Sequence, residues 1–317
     1  MAVIALDLGG TKLASAIISD RGRILCRNVV LLEGRQGKAA GRLICDEVVA
    51  LLTHAQAKHT RITGIGVSVP GISYSKTGRV WAPNIPGWSR YPLKREIETA
   101  VSRHFQARIS GNLPVNIASD RACHILGEAW RGNAKGCSNA IFLAVGTGIG
   151  AGIMVGGKVL NGAHDVAGAV GWMALERPFR REYVRCGCFE FHASGNGLAK
   201  AARQLRKDWR AAEIFASFDT GDPLAKEIVT SAIQYWGMAG ANLVSLFDPE
   251  KIIFGGGVFG PARKFIPAIY AEAKRWAQPI AIKQVNFCPS KLGADAGLFG
   301  AACIALRPRA CSALSNA

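Results

Sequence analysis

Residues 7–17, DLGGTKLASAI, and residues 144–154, AVGTGIGAGIM, share one plan: the end of a strand, a glycine-threonine turn and a second run of small and apolar residues. Glycine permits the tight reversal, and the apolar runs on either side read as paired strands. Working outward from these stretches, strands and helices alternate through both halves, the mark of an α/β protein. Val3–Leu6, Leu13–Ile18 and Ile24–Leu32 read as strands. Lys38–Lys58 reads as a helix, with Leu43, Ile44, Val48, Leu51 and Leu52 at helical spacing. Ile62–Val69 is a strand ending at Pro70-Gly71, and two prolines make Trp81–Trp88, WAPNIPGW, a loop. A helix over Tyr91–His104, a strand over Val115–Ala118 and a helix over Asp120–Trp130 end the first pattern.

The pattern then restarts. Strands are expected at Ala140–Val145, Gly152–Val155 and Lys158–Leu160, and helices at Leu198–Phe218 and Pro223–Leu246. A strand at Ile252–Phe254, a helix at Ala262–Trp276 and a last helix from about Ala296 follow. This is a duplication at the level of the fold rather than a short-period repeat. A length of 317 residues suits two domains. The first is expected over 1–119, completed by the last helix at about 296–317, and a larger second one over 120–295.

Composition excludes several classes. Nearly half the chain is apolar and 37 residues are Gly, which suits a tightly turned globular protein. The start, MAVIALDLGG, has no basic leader or cleavage site, and no run approaches the roughly 18 apolar residues of a membrane span. Nine cysteines, an odd number from Cys26 to Cys311, point to free thiols in a reducing compartment, hence the cytoplasm. The net charge of +17 raises nucleic acid as a partner, yet the basic residues are dispersed, with small clusters at Arg177–Arg181 and Arg307–Arg309. No helix-turn-helix precedes the first strand and no aromatic-basic ladder is present, so a solvated surface that attracts anionic substrates is expected instead.

Chemistry concentrates at the turns. After a strand, Asp7, Gly9, Gly10, Thr11 and Lys12 offer successive backbone donors for phosphate oxygens, a cation, and a carboxylate able to hold Mg²⁺ through water. Alone, this could be an ordinary hairpin turn. A second such turn, Gly146-Thr147-Gly148, and a third glycine cluster at Gly255-Gly256-Gly257, suited to close approach of an adenosine, make ATP the expected ligand. None is a GxxxxGK[ST] loop, and the first lacks the dinucleotide spacing. Asp120 opens a helix, where a carboxylate either caps the helix or acts as a base.

Taken in order, DLGGTK, Pro70-Gly71, Pro83-Asn84-Ile85-Pro86-Gly87-Trp88, Ser119-Asp120, GTGIGAG, Ala167-Gly168 with Gly171, Phe189-Glu190 with Ala193-Ser194-Gly195, the GGG turn and LGADAGL (292–298) resemble the ROK family of sugar kinases and sugar-responsive repressors over nearly the whole chain. The resemblance implies a duplicated ribonuclease H-like (actin/hexokinase) fold of two lobes with a cleft between them. It implies ATP-dependent phosphorylation of a sugar-like alcohol, Asp120 as catalytic base, acceptor contacts at Gly71, Asn84, Ser119 and Glu190, and a homodimer. Ser119 stands where the family usually has Asn. Ala169 and Trp172 stand where it usually has the Glu and His of a Glu-x-Gly-His element. Trp172 presents an apolar face with one donor, and His164 is a possible substitute contact or merely a loop residue. An atypical hexose, aminosugar or cyclitol is therefore expected rather than plain glucose. Structural zinc in the family uses that missing His and three cysteines; here Cys186, Cys188 and His192 supply three ligands at most, so no zinc is expected. The alternatives are a sugar-sensing regulator without catalysis and a polyphosphate-dependent sugar kinase.

Overall fold

The computed structural model describes residues 1–105 and 113–306. The Arg307–Arg309 cluster, Cys311 and the part of the last helix expected beyond 306 lie outside the described residues. The chain packs as two units: Met1–Lys135 with Lys158–Ala167 and the segment beginning at Asp295, and Gly136–Gly157 with Gly168–Ala294. The expected division fell at 119/120; in the structure the helix opened by Asp120 packs within the first unit.

The first unit opens with β1 (Ala2–Leu8), β2 (Lys12–Ser19) and β3 (Ile24–Leu31), then α1 (Gly37–Ala57) and β4 (Ile62–Val69). A small hairpin of β5 (Ile72–Tyr74) and β6 (Arg79–Trp81) precedes α2 (Leu93–Phe105), β7 (Val115–Ser119) and α3 (Asp120–Arg131). The sheet order is β3-β2-β1-β4-β7, antiparallel in its first two pairings and parallel in the rest.

The second unit carries β8 (Ala140–Val145) and β9 (Ile149–Val155), after which the two-residue β10 (Lys158–Val159) leads back. It continues through α4 (Tyr183–Cys186), α5 (Cys188–Ala193), α6 (Gly195–Gln204), α7 (Ala211–Asp219), α8 (Pro223–Phe247), β11 (Lys251–Gly255), α9 (Ile266–Ala273) and β12 (Asn286–Pro289). Its strands run β9-β8-β11-β12, with β8 and β9 antiparallel and the others parallel. The chain returns to the first unit with α10 (Ala296–Leu306).

Period-two alternation sorts β1 between two layers. Ala2, Ile4, Leu6 and Leu8 face a core that includes Ile44, Val48, Leu51 and Leu52 of α1 and Leu93, Ile97 and Val101 of α2. Val3 and Ala5 face the opposite layer with Leu298, Ala301, Ala302 and Ala305 of α10. Burial of each such aliphatic side chain stabilises by about 1.5–3 kcal/mol. Asp7 shares the parity of Val3 and Ala5, so the same alternation carries a carboxylate to the α10 face. Close approach of α10 depends on small residues: a Cβ on Gly66 would lie 1.9 Å from Ala301 O, and one on Gly300 1.9 Å from Cys123 O.

Several elements differ from the sequence expectation. The single helix over Leu198–Phe218 is two, α6 and α7, because Arg206 adopts a left-handed backbone (φ 58°) and Lys207 N turns back to Ala202 O. The helix over Ala262–Trp276 begins as a 3₁₀ turn, Ala262–Phe265, and is α-helical only over Ile266–Ala273. Trp81, placed in a loop, ends β6, and Tyr91, placed in a helix, instead bridges Val80. The short β5, β6 and β12 carry too few residues for a period to show. Among the described residues no helix is long and apolar enough to cross a membrane.

Candidate functional site

In the first unit, the turn from β1 to β2 closes by Gly9 N donating to Lys12 O (2.9 Å), and Leu32 N donates to Thr11 O (2.8 Å). Gly10, Thr11 and Lys12 are exposed. An added Cβ at Gly10 would meet only Asn84, at 3.9 Å, which brings an expected acceptor residue beside the expected phosphate turn. Asn84 is held at a tight reversal: Ala82 N donates to Trp88 O (2.9 Å), and the buried Trp88 donates from Nε1 to Gly37 O (2.9 Å) and stacks on Tyr91 at 4.5 Å. Gly71 takes a positive φ of 94°, and a side chain there would drive into Trp81 O at 2.3 Å.

Asp7 pairs in register with Ser68 of β4, and its carboxylate lies against the first turn of α10, where a Cβ on Gly297 would come within 2.4 Å of Oδ2. Free N–H groups and the helix dipole favour negative charge at such a terminus. Burial nonetheless dominates and pushes the Asp7 carboxyl up; His124, the Ser68 hydroxyl and Lys12 act against that shift, and the charge of Asp120 adds to it.

The cap reading of Asp120 needs correction. Ser119 caps α3, its Oγ accepting from Ala122 N (3.3 Å), and Asp120 is the first helical residue, Oδ1 accepting from Arg121 N (2.8 Å). Asp120 is thus freed from capping, while the Ser119 hydroxyl is engaged in it. Arg121, not singled out from sequence, donates from Nη1 to Val166 O (3.2 Å) and from Nη2 to Gly71 O (3.3 Å). His164 is exposed in the segment that Arg121 holds at Val166. Its neighbour Asp165 accepts from Ser75 N (3.1 Å) and Ser75 Oγ (3.2 Å).

In the second unit, Gly146 N donates to Gly148 O (2.9 Å), and Gly195 N to Gly146 O (2.8 Å), which ties the turn to the start of α6. Gly146 lies beside Gly257, a Cβ on the former falling 3.9 Å from Gly257 N. Gly256 has φ 87°, and a Cβ there would meet Val145 O at 2.4 Å, whereas one at Gly257 would meet nothing within 4 Å. Two of the three expected nucleotide turns therefore converge within this unit. Glu190, on α5, accepts from Ile149 N through Oε2 (2.6 Å). Burial pushes its carboxyl up, with the Ile149 N–H pulling the other way. Trp172 ends a 3₁₀ turn over Val170–Trp172 and is 55% exposed.

Cys186, Cys188 and His192 do not gather into a metal site; among the described residues no group of three His, Cys, Asp or Glu side chains is placed to hold an ion. His192 enters a polar cluster instead. Its Nε2 lies 2.7 Å from both Tyr183 OH and Glu176 Oε2, and its ring stacks on Tyr235 at 4.5 Å. Tyr235 also donates to Glu176 Oε2, and Arg180 Nη2 to Glu176 Oε1 (2.8 Å). Burial lowers the His192 pKa while Glu176 raises it. These partners are brought together by tertiary packing and carry no local sequence signal.

The model of the ROK family matches residues 3–308. A glucokinase of Halalkalibacterium halodurans is 30% identical over 319 residues, 94% of this chain and 92% of its own length. A beta-glucoside kinase of Listeria monocytogenes is 28% identical over 310 residues, 95% of this chain and 96% of its own. The crystal structure of a ROK family glucokinase from Streptomyces griseus, in complex with glucose and AMPPNP, is similar with a TM-score of 0.76 and 26% identity, over 96% of this chain and 99% of its own.

Proposed function

We propose, from the premise that this chain belongs to the ROK family, that it is an ATP-dependent kinase transferring the γ-phosphoryl group to a hydroxyl of a sugar-like acceptor, with Asp120 as general base. The observation that carries this reading is the setting of Asp120 in the first unit. It stands at the head of α3, relieved of capping by Ser119, close enough to Asp7 for the two carboxylates to act on each other. With Oδ1 held by Arg121 N, Oδ2 takes the hydroxyl proton as the acceptor oxygen bonds to the γ-phosphorus and the bond to the β-phosphate oxygen breaks, releasing ADP.

With the Gly9 and Gly146 N–H groups closing their own turns, Gly10–Lys12 and Thr147–Gly148 are the backbone donors for phosphate oxygens, and the open space at Gly257 suits an adenosine. Asp7 is a hard oxygen donor that would hold Mg²⁺ through water; the ion would supply neutralisation of charge on the phosphate oxygens. Gly71, Asn84, Ser119, Glu190 and, as substitutes, His164 and Trp172 contact the acceptor.

Because Ala169 and the exposed Trp172 stand where hydroxyl-reading carboxylate and imidazole are usual, the acceptor is an atypical hexose, aminosugar or cyclitol. An ADP-release panel of hexoses, aminosugars and cyclitols tests this; glucose giving the highest kcat/KM sinks the acceptor assignment. Asp120→Asn is expected to lose roughly 10²–10⁴-fold in kcat with nucleotide binding kept. Near wild-type turnover of that variant removes Asp120 as base. A cytoplasmic homodimer completes the proposal, and size-exclusion chromatography with light scattering checks the dimer.

A further inference from the structure

We propose that Arg121 is a positioning residue that fixes, beside Asp120, the two peptide segments against which the acceptor lies; the proposal rests on the reading of Asp120 as base. Its backbone N–H holds Asp120 Oδ1 at 2.8 Å, and its guanidinium spans two segments distant in sequence, donating to Gly71 O at 3.3 Å and Val166 O at 3.2 Å. Among the described residues no carboxylate lies within 4.0 Å of that guanidinium, so its charge is spent on carbonyl dipoles rather than on an ion pair. A half-buried guanidinium carries a desolvation cost that a surface one does not, and burial does depress its pKa, against the pull of Asp120.

The geometry is specific to arginine. A planar fork offers donors from two nitrogens in fixed directions, so one side chain satisfies two carbonyls at once; a lysine ammonium is a single point. Both segments it holds need holding. Gly71 sits at φ 94° with Trp81 O blocking any side chain. Asp165, next to Val166, is a non-glycine residue at φ 58°, and its second anchor is the pair of bonds from Ser75 N and Oγ. The 161–167 segment thus has two attachments of known chemistry, Arg121 on one side and Ser75 on the other. Removing Arg121 leaves one, and loosens the Gly71 peptide beside the base in the same event. Displacement of an acceptor by about 1 Å can cost roughly a hundredfold in rate.

The test compares Arg121→Met, Arg121→Lys and Asp120→Asn with wild type on the best acceptor among glucose, N-acetylglucosamine and myo-inositol. Arg121→Met is expected to lower acceptor kcat/KM roughly tenfold to a hundredfold, with KM for ATP within about twofold. Arg121→Lys recovers less than half of the loss on a logarithmic scale. Hydrogen exchange speeds up in 71–75 and 161–167 but not in α1, and the combination of Arg121→Met with Asp165→Ala departs from additivity because both act on one segment. Folded Arg121→Met or Arg121→Lys with wild-type acceptor kinetics overturns the proposal. So does a parallel rise in the KM for ATP and for acceptor, the mark of a general structural role. An active Asp120→Asn, or no ADP release by wild type with any of the three acceptors, takes down the base assignment and the positioning role together.

Discussion

The β1–β2 and β8–β9 hairpins are built alike and carry different side chains at matched places. In one, Leu8 pairs with Leu13 across the turn and Asp7 lies beside Ser68 of the parallel neighbour. In the other, Val145 pairs with Ile149 and Ala144 lies beside Gly255. The place of Asp7 is thus taken by Ala144, and that of Ser68 by Gly255. The second hairpin receives its carboxylate from outside, through Glu190 of α5 on the Ile149 N–H. The two copies share what the backbone does, a tight reversal closed by a glycine N–H, while their side chains differ. In the proposed kinase the anion-facing donors need no side chain and so occur in both, while the carboxylate that would hold Mg²⁺ is needed once.

The largest way to break this comparison is to exchange the distinguishing residues. Asp7→Ala is expected to lose roughly 10²–10³-fold in kcat, the scale for removing a preorganised electrostatic group. Ala144→Ser at the matched position should stay within about threefold. Steady-state kinetics at saturating Mg-ATP decides it, and equal losses at both positions would mean the two hairpins share one role.

A smaller effect separates the glycines. A Cβ at Gly148 would lie 2.6 Å from Glu190 Oε2, whereas one at Gly10 meets nothing closer than 3.9 Å. Gly148→Ala should cost about 1–3 kcal/mol by overpacking, and Gly10→Ala less than about 0.5 kcal/mol. Urea unfolding measures both; indistinguishable midpoints would remove the packing difference.

The smallest effect is in pH. Burial raises the folded-state pKa of Glu190, so the native protein binds more protons than the unfolded chain between the two values. Stability from this group is full below the unfolded carboxyl pKa and is lost as pH rises through the folded one. Glu190→Gln should therefore gain thermal stability relative to wild type at pH 7.5 and not at pH 4, with about 2–4 °C for each kcal/mol relieved. A gain of equal size at both pH values contradicts the buried-charge account.

The alternation of β1, the two glycine turns and the apolar spacing of α1 were legible in the sequence because each is a local periodicity that packing then obeys. The break between α6 and α7 was not, since Arg206 and the return of Lys207 to Ala202 interrupt an otherwise helical apolar pattern. Asp7 and Asp120 stood out as carboxylates at a turn and at a helix start, and Glu190 only through the family resemblance. Arg121 did not, because its partners are 50 and 45 residues away and a basic residue early in a helix predicts nothing by itself. His192 had a sequence reading as a metal ligand, but the polar cluster it joins draws on Glu176 and Tyr235 from other elements.

The backbone-to-backbone seating of α10 on β4 and α3, at Gly66 and Gly300, has a consequence for biosynthesis. The first unit lacks one of its layers until Ala296–Leu306 has been made, while the whole second unit is synthesised in between. At roughly 5–20 residues per second, the about 160 intervening residues correspond to a wait of about 8–32 s on the ribosome. During it, Val3, Ala5, Ala16 and Ile18 have no α10 to cover them, so the nascent chain exposes an apolar sheet face to whatever chaperone reaches it first.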